Sequence, residues 1–344
     1  MHTHDGIFKI RHLLLCLSLL FTSCEFEEIN LEKFDLLRKL VDDEWIVQAT
    51  GTDYPIRDMF FLDSQRGWVL AYETLIHTKN GGDSWERLPL PVFVPGGNIY
   101  FSDASNGWIS AIDQGLLKTV DGGSTWSSIS LNTFIDRLYP LDAQRAWIAT
   151  IDKTILKTED GWETWKEYEF DVASTSFLQF VNPETGWALG FDSNGSFIRK
   201  TMDGGQTWVN QNFNQQGTLT EIQFQGGFFF DENTGWLIGY VIGREYANYI
   251  LKTADGGQTW STQLLGINSY PPLAQDIYFL DSQTGYIIGN EDEQGVIFST
   301  SDGGENWSKE EIFTDKELCC LFVSDEEEIW VAGDEGLILY KSGK

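Results

Sequence analysis

One eight-residue pattern returns six times and limits what this chain can fold into. Thr78-Lys79-Asn80-Gly81-Gly82-Asp83-Ser84-Trp85 is followed by equivalents at Thr119 to Trp126, Thr158 to Trp165, Thr201 to Trp208, Thr253 to Trp260 and Thr300 to Trp307. Its acid position holds Asn80, Asp121, Asp160, Asp203, Asp255 and Asp302, at intervals of 41, 39, 43, 52 and 47 residues. Each copy closes on a tryptophan: Trp85, Trp126, Trp165, Trp208, Trp260 and Trp307. Periods of roughly forty residues belong to solenoids and propellers, whose repeat units bury their apolar faces only against one another.

A second landmark precedes every box: Gly67-Trp68, Gly107-Trp108, Ala146-Trp147, Gly186-Trp187, Gly235-Trp236 and Gly285-Tyr286. Before it runs an alternating apolar stretch such as Met59-Phe60-Phe61-Leu62 or Ile277-Tyr278-Phe279-Leu280. Each repeat therefore reads as an inner strand, a turn, a strand opened by Trp, a hairpin, a strand ending in Lys-Thr, the box turn and an outer strand. After the sixth box come strands around Leu318 to Val323, Ile329 to Ala332 and Leu337 to Lys341, with no outer strand behind them. Asp42-Asp43-Glu44-Trp45-Ile46-Val47-Gln48 resembles a box turn with its outer strand, and can complete that blade from the other end of the chain. The expected fold is all-β: a seven-bladed β-propeller of four-stranded antiparallel blades, its ring closed by an N-terminal strand, which leaves no free sheet edge at the closure.

The box residues have structural work to do. A carboxylate at the start of a tight turn accepts backbone N–H bonds, and Gly supplies the positive φ. Thirteen of the fourteen tryptophans fall at repeat landmarks, Trp162 being the exception, so these aromatics read as blade packing rather than as a ligand cage. Blade three carries Gly161-Trp162 where two glycines stand elsewhere, and blade one carries Asn80 for Asp, so departures from the common turn are expected there. The turns lack the alternating oxygen ligands and terminal bidentate acid of a calcium loop. The four histidines, His2, His4, His12 and His77, show no metal-binding spacing, and there is no phosphate-binding glycine loop. No catalytic residue, metal or cofactor is expected.

Residues 1–23 read as a lipoprotein signal peptide: Lys9, Arg11 and His12 precede the apolar run Leu13 to Phe21, too short to span a bilayer comfortably. The run ends Leu20-Phe21-Thr22-Ser23-Cys24, which is similar to the lipobox of bacterial lipoproteins with Cys24 as the acylated residue. Residues 24–42 would form a lipidated tether and 43–344 the propeller. The acids Glu25, Glu27 and Glu28 resemble a surface-export signal, so the expected location is the cell envelope: an outer-membrane lipoprotein exposed at the surface, with a periplasm-facing anchor as the alternative. A formal charge of −29, from 52 acidic and 23 basic residues, would repel a phosphate backbone and argues against nucleic acid. Cys319 and Cys320 are adjacent, and on a regular strand they would point to opposite faces as two small semi-buried residues; a vicinal disulfide or reactive thiol is the alternative.

Boxes of this kind are called Asp-boxes. Together with the Gly-Trp turns, the runs Lys118 to Trp126, Lys200 to Trp208 and Lys252 to Trp260 resemble the photosystem II assembly and stability factor propellers, over residues 43 to 344. That resemblance implies a seven-bladed propeller acting as a non-enzymatic protein-binding or assembly scaffold, although the basic patch associated with the family has no evident counterpart in this acidic chain. Asp-boxes also occur in sialidases, which makes a glycan-active hydrolase or a carbohydrate-binding surface protein the alternative. Sialidase chemistry needs three arginines and a Tyr activated by Glu near the axis. Only Arg57 and Arg137 fall at the starts of inner strands, near the channel mouth.

The hairpins between second and third strands share the face opposite the boxes. They carry Glu73, Asp113, Asp152, Asp192, Glu245, Asp292 and Asp334, one acid per blade. These read either as ordinary turn residues or as a negative rim for a basic partner. Long segments on the same face add Arg244, Tyr246 and Tyr270 as candidate contacts. The expected partner is a protein, basic or membrane-associated, with a glycan as the alternative and membrane contact through the lipid.

Overall fold

Alternating apolar and polar residues in runs of about five to seven, punctuated by Gly and Asp turns, favour short half-buried strands, and repetition stacks them face to face. The computed structural model describes residues 45–344 except 73, 95–96, 112–114, 214–221, 242–246, 269–273, 313, 325 and 344. The signal, Cys24 and tether therefore lie outside the described residues. Among the described residues the strands form seven four-stranded antiparallel sheets, six of them sequential in chain order. The inner strands are Ile56–Phe61, Ile99–Phe101, Ile135–Pro140, Ser174–Phe180, Ile222–Phe229, Ala274–Phe279 and Leu318–Val323, in blades one to seven.

The seventh sheet runs in the order Ile46–Ala49, Leu337–Lys341, Ile329–Gly333, Leu318–Val323. Ile46 pairs with Tyr340 and Ala49 with Leu337, so the N-terminal strand is the outer strand of the last blade. Trp45, directly before this outer strand, packs against the core between blades six and seven and lies under the Lys341 ammonium at 5.5 Å.

Blade-to-blade packing explains both landmarks. The Trp68 indole stacks on Phe101 of the next inner strand at 3.7 Å, and Trp147 on Phe180, Trp187 on Phe229, Trp236 on Phe279 and Trp330 on Phe61 repeat the contact at 3.5–3.9 Å. Each phenylalanine also lies flat on the landmark glycine of its own blade: a Cβ on Gly67 would sit 2.4 Å from the Phe61 ring. Trp68, Trp147 and Trp236 then donate their indole N–H to the carbonyls of Gly122, Gly204 and Gly303, in the box of the following blade. Lys118 and Lys200 of the Lys-Thr steps reach the carbonyls of Gly161 and Gly256 in the same way. Aromatic pairs of this kind contribute roughly 0.5–1.5 kcal/mol beyond the area they bury.

Blade three departs from this scheme in three places at once. Pro140 replaces the inner-strand phenylalanine, Ala146 replaces the glycine that the ring would have covered, and Trp162 replaces the second box glycine. Trp162 fills the space with its own indole, buried beside Trp108 and Leu138. It adopts φ +70° to do so, in the left-handed region that favours glycine. The box bonds survive both expected departures. Thr164 N–H still donates to Asp160 at 2.9 Å, and Ser84 N–H donates to Asn80 at 3.0 Å.

A candidate protein-binding face

The two faces of the ring differ in how their backbone is held. On one, each box glycine donates to the turn between first and second strands, as Gly81 does to Gln65 and Gly204 to Glu184. The box carboxylates are saturated there: Asp121 accepts from Thr125 N–H, Thr125 Oγ1 and Thr119 Oγ1. Hydrogen bonds hold these acids below the usual carboxylate range, Asp302 at about 2. Such groups are structural and offer few free lone pairs to a ligand. On the opposite face the hairpin tips bond to the blade-to-blade connections, Ile151 N–H to Phe134 and Asp334 N–H to Glu317.

On this hairpin face Glu73, Asp113, Arg244, Glu245, Tyr246 and Tyr270 lie outside the described residues. Asp152 is exposed at the tip of the blade-three hairpin. Asp192 turns inward, 9% exposed, where Asn194 N–H and Arg199 donate to it at 2.7 and 3.1 Å. Asp292 is exposed in a tight turn at φ +51°. Asp334 opens a short 3-10 turn, Asp334–Gly336, in blade seven, and the neighbouring Glu335 pairs with Lys316 at 2.6 Å. A shallow cavity of about 780 Å³ opens at the ring closure, lined among others by Asp53, Asp315, Lys316 and Glu335.

The axis holds charged residues that the periodicity did not mark. Asp58 of blade one accepts the Ile99 N–H of blade two at 2.8 Å, and Asp276 of blade six accepts the Leu321 N–H of blade seven at 3.1 Å. Both stitch neighbouring inner strands together. Burial pushes Asp58 up to about 6 and Asp276 to about 7 despite these bonds. Their signal in the sequence was an acid directly before the apolar run of the inner strand, Met59-Phe60-Phe61 in one and Ile277-Tyr278-Phe279 in the other.

Arg137 spends its guanidinium on the Ser176 and Asp136 carbonyls, and Arg57 lies 5.6 Å from the Tyr72 ring. The Tyr340–Glu328 hydrogen bond, 2.6 Å, belongs to the opposite face of blade seven. Arginines and a Tyr–Glu pair are thus not brought together. Among the described residues no group of three or more His, Cys, Asp or Glu could hold a metal ion.

The two cysteines are free, but they do not point to opposite faces as a regular strand would have it. A register shift between Leu318 and Cys320 makes Cys319 the extra residue of a bulge, and the two sulfurs lie 3.3 Å apart. The hydrogen bond with the Cys319 thiol, and then burial, push Cys320 well above the ordinary thiol range.

Comparison with known proteins agrees with this architecture. The profile of the family described as "Photosynthesis system II assembly factor YCF48" matches residues 37–136 and 265–344. A photosystem II assembly lipoprotein Ycf48 of Synechococcus sp. (strain CC9902) is 27% identical over 134 residues, 38% of this chain. The match spans only 34% of that relative's own length. A structure of YCF48 bound to D1 peptide superposes with a TM-score of 0.67 at 22% identity, covering 88% of this chain and 97% of that one. YCF48 from Cyanidioschyzon merolae gives 0.66 at 17% identity, covering 87% and 98%. An ancestral GH74 enzyme gives 0.62 at 11% identity, covering 86% of this chain and 46% of that one, so the fold is shared with enzymes as well. With the family profile matching more than half of its residues and the seven-bladed ring in place, this chain belongs to the photosystem II assembly factor YCF48 family.

Proposed function

We propose that this chain is a non-enzymatic protein-binding scaffold that holds a partner during assembly, through the hairpin face of its propeller. Membership of an assembly-factor family carries the reading, and the YCF48 structure with a bound D1 peptide is an analogy for its mode of action. The partner here is a protein of the envelope. The chain reaches it as an exported lipoprotein held by an acylated Cys24, with residues 1–23 removed, 24–42 as tether and the propeller from residue 43. The acids left open on the hairpin face favour a basic partner, and the saturated box carboxylates favour that face over the other. The scattered arginines disfavour the sialidase reading.

The test is affinity capture from detergent-solubilised envelope with the chain from Glu25 onward, beside a version with Asp152, Asp292 and Asp334 changed to Asn. A specific protein recovered by the first and lost by the second is the expected result. Recovery of none by either, with glycan cleavage or glycan binding in its place, would overturn the scaffold reading.

A further inference from the structure

The inner strands share an irregularity at one step. Their pairing with the second strand shifts by a residue at Arg57, Asp136, Ser176, Gln225, Gln275 and Cys319, in blades one and three to seven. A bulge inserts an extra residue there and re-aims the side chains beside it. In blade seven the bulged residue and its successor are both cysteines. Consecutive strand residues ordinarily point to opposite faces. Here the bulge sets the two sulfurs 3.3 Å apart instead. Both thiols are free, Cys319 half-buried and Cys320 buried. Bonded sulfurs stand about 2.0 Å apart, so roughly 1.3 Å of closure separates the pair from a disulfide.

The pair sits at the seam where the last blade meets the first. The Cys319 thiol faces the Ile56 carbonyl of blade one at 3.2 Å and the Ala332 carbonyl of its own blade at 3.4 Å. Cys320 belongs to the core cluster shared by blades seven and one, with Ile56, Met59 and Trp330.

We propose that Cys319 and Cys320 form a reversible dithiol–disulfide site in the folded ring, oxidised by exchange with a disulfide compound, and that oxidation loosens the seam between blades seven and one. The Cys319 thiolate, on the more accessible of the two residues, attacks one sulfur of the oxidant, forming a mixed disulfide and releasing half of the oxidant as a thiolate. Cys320 then gives up its proton and attacks Cys319 Sγ, expelling the other half. The protons released by the two cysteines end on the two departing thiolates, so two thiols and one disulfide become one disulfide and two thiols. The hydrogen bond with Cys319, then burial, hold the Cys320 proton in place. Burial persists in the mixed disulfide and makes the second step the slower. Consecutive Cα atoms stand about 3.8 Å apart, closer than the roughly 4.4–6.8 Å usual for disulfides, so the bond is strained and easily reduced. It closes no loop that would restrict the unfolded chain, and it removes the S–H that faces Ile56. The oxidised ring is therefore the less stable form. This site does not depend on the scaffold reading above.

The full chain is incubated in its folded state with glutathione and glutathione disulfide at graded ratios, then alkylated in urea and digested with trypsin. The peptide from Glu317 to Lys341 holds both cysteines and neither of the other two in the chain, so its mass reads this pair alone. As glutathione disulfide rises, the doubly alkylated peptide should give way to one that resists alkylation and is lighter than the dithiol by two hydrogens. A singly glutathionylated peptide should appear on the way, and dithiothreitol should reverse the change. Cys320→Ser should stop at glutathionylated Cys319, and Cys319→Ser should leave Cys320 open to alkylation. The melting temperature of the oxidised wild-type chain should fall by a few degrees, and that of Cys319→Ser should not respond to the oxidant. The main test needs no substitution, and circular dichroism checks that both variants are folded. A folded chain that stays fully alkylatable at every ratio, takes up glutathione on both cysteines, or forms the disulfide only in urea would overturn the site. Oxidation with an unchanged or raised melting temperature would overturn the coupling to the seam.

Discussion

Asp276 offers a quantitative test of how the blades are stitched at the axis. Its carboxylate accepts the Ile277 and Leu321 N–H groups at 2.9 and 3.1 Å, yet burial moves its pKa from 3.8 to about 7. Because the native value lies above the unfolded one, the folded chain keeps a proton that the unfolded chain has released. The stabilisation is full below pH 4 and is lost as pH rises through 7. Each pH unit in that window is worth about 1.4 kcal/mol. From pH 5 to pH 8 the wild-type chain should lose roughly 3 kcal/mol through this group, and nearer half of that because the side chain keeps some accessible surface. Asp276→Asn has no charge to bury, but turns an amide toward one of the two N–H donors, at a cost of about 1–2 kcal/mol. Urea unfolding at pH 5, 6, 7 and 8 should therefore show the variant less stable at pH 5 and the gap closing or reversing by pH 8. A gap that is constant with pH, or widens, would refute the argument that desolvation outweighs the hydrogen bonds.

Other outcomes follow from the same packing. The box carboxylates have lowered pKa values, Asp302 at about 2, so their stabilisation is present above pH 4 and lost as pH falls toward 2; with Asp58 and Asp276 acting oppositely, a pH series of melting curves should peak on the acid side of neutrality. Trp162→Gly relieves a left-handed residue but empties the space left by Pro140, and should destabilise by about 2–3 kcal/mol in urea, in contrast to the stabilisation expected if φ strain dominated. Lys200→Met removes a hydrogen bond to Gly256 and a cation 4.7 Å from the Trp187 ring, and should cost about 1–2 kcal/mol in thermal or urea unfolding. Thiol titration of the native chain should find Cys319 reacting ahead of the buried Cys320.

How much could be read from the sequence followed from what repeats. The boxes, the Gly-Trp turns and the closing strand occur in register, so their roles could be counted out, and Ile46–Ala49 pairs where the missing outer strand was expected. Single exceptions were harder. Trp162 looked like a stray tryptophan because its explanation lies in Pro140 and Ala146, which replace the phenylalanine and glycine of the other blades, and in Trp108 of blade two, whose packing on blade three is visible only in the folded ring. Cys319 and Cys320 are the free, semi-buried strand residues expected, but they do not point to opposite faces because a bulge breaks the alternation on which that part of the reading rested. The hairpin acids were legible one by one, but not that Arg199 would turn Asp192 inward. Asp58 and Asp276 escaped notice because each follows another polar residue, Arg57 or Gln275, at the start of its strand, and only burial gives them weight.

The pairing of Ile46–Ala49 with Leu337–Lys341 also sets the order in which this protein can fold. Six blades are built from contacts close in sequence and can form as the chain emerges, but the seventh needs both ends and must wait for the last strand. Until then the first strand has no partner and the ring stays open along one seam. A ring closed in this way cannot lock into its final shape before strand Leu337–Lys341 has formed. A chain lacking Leu337–Lys341 would leave both Ile46–Ala49 and Ile329–Gly333 with an unpaired edge.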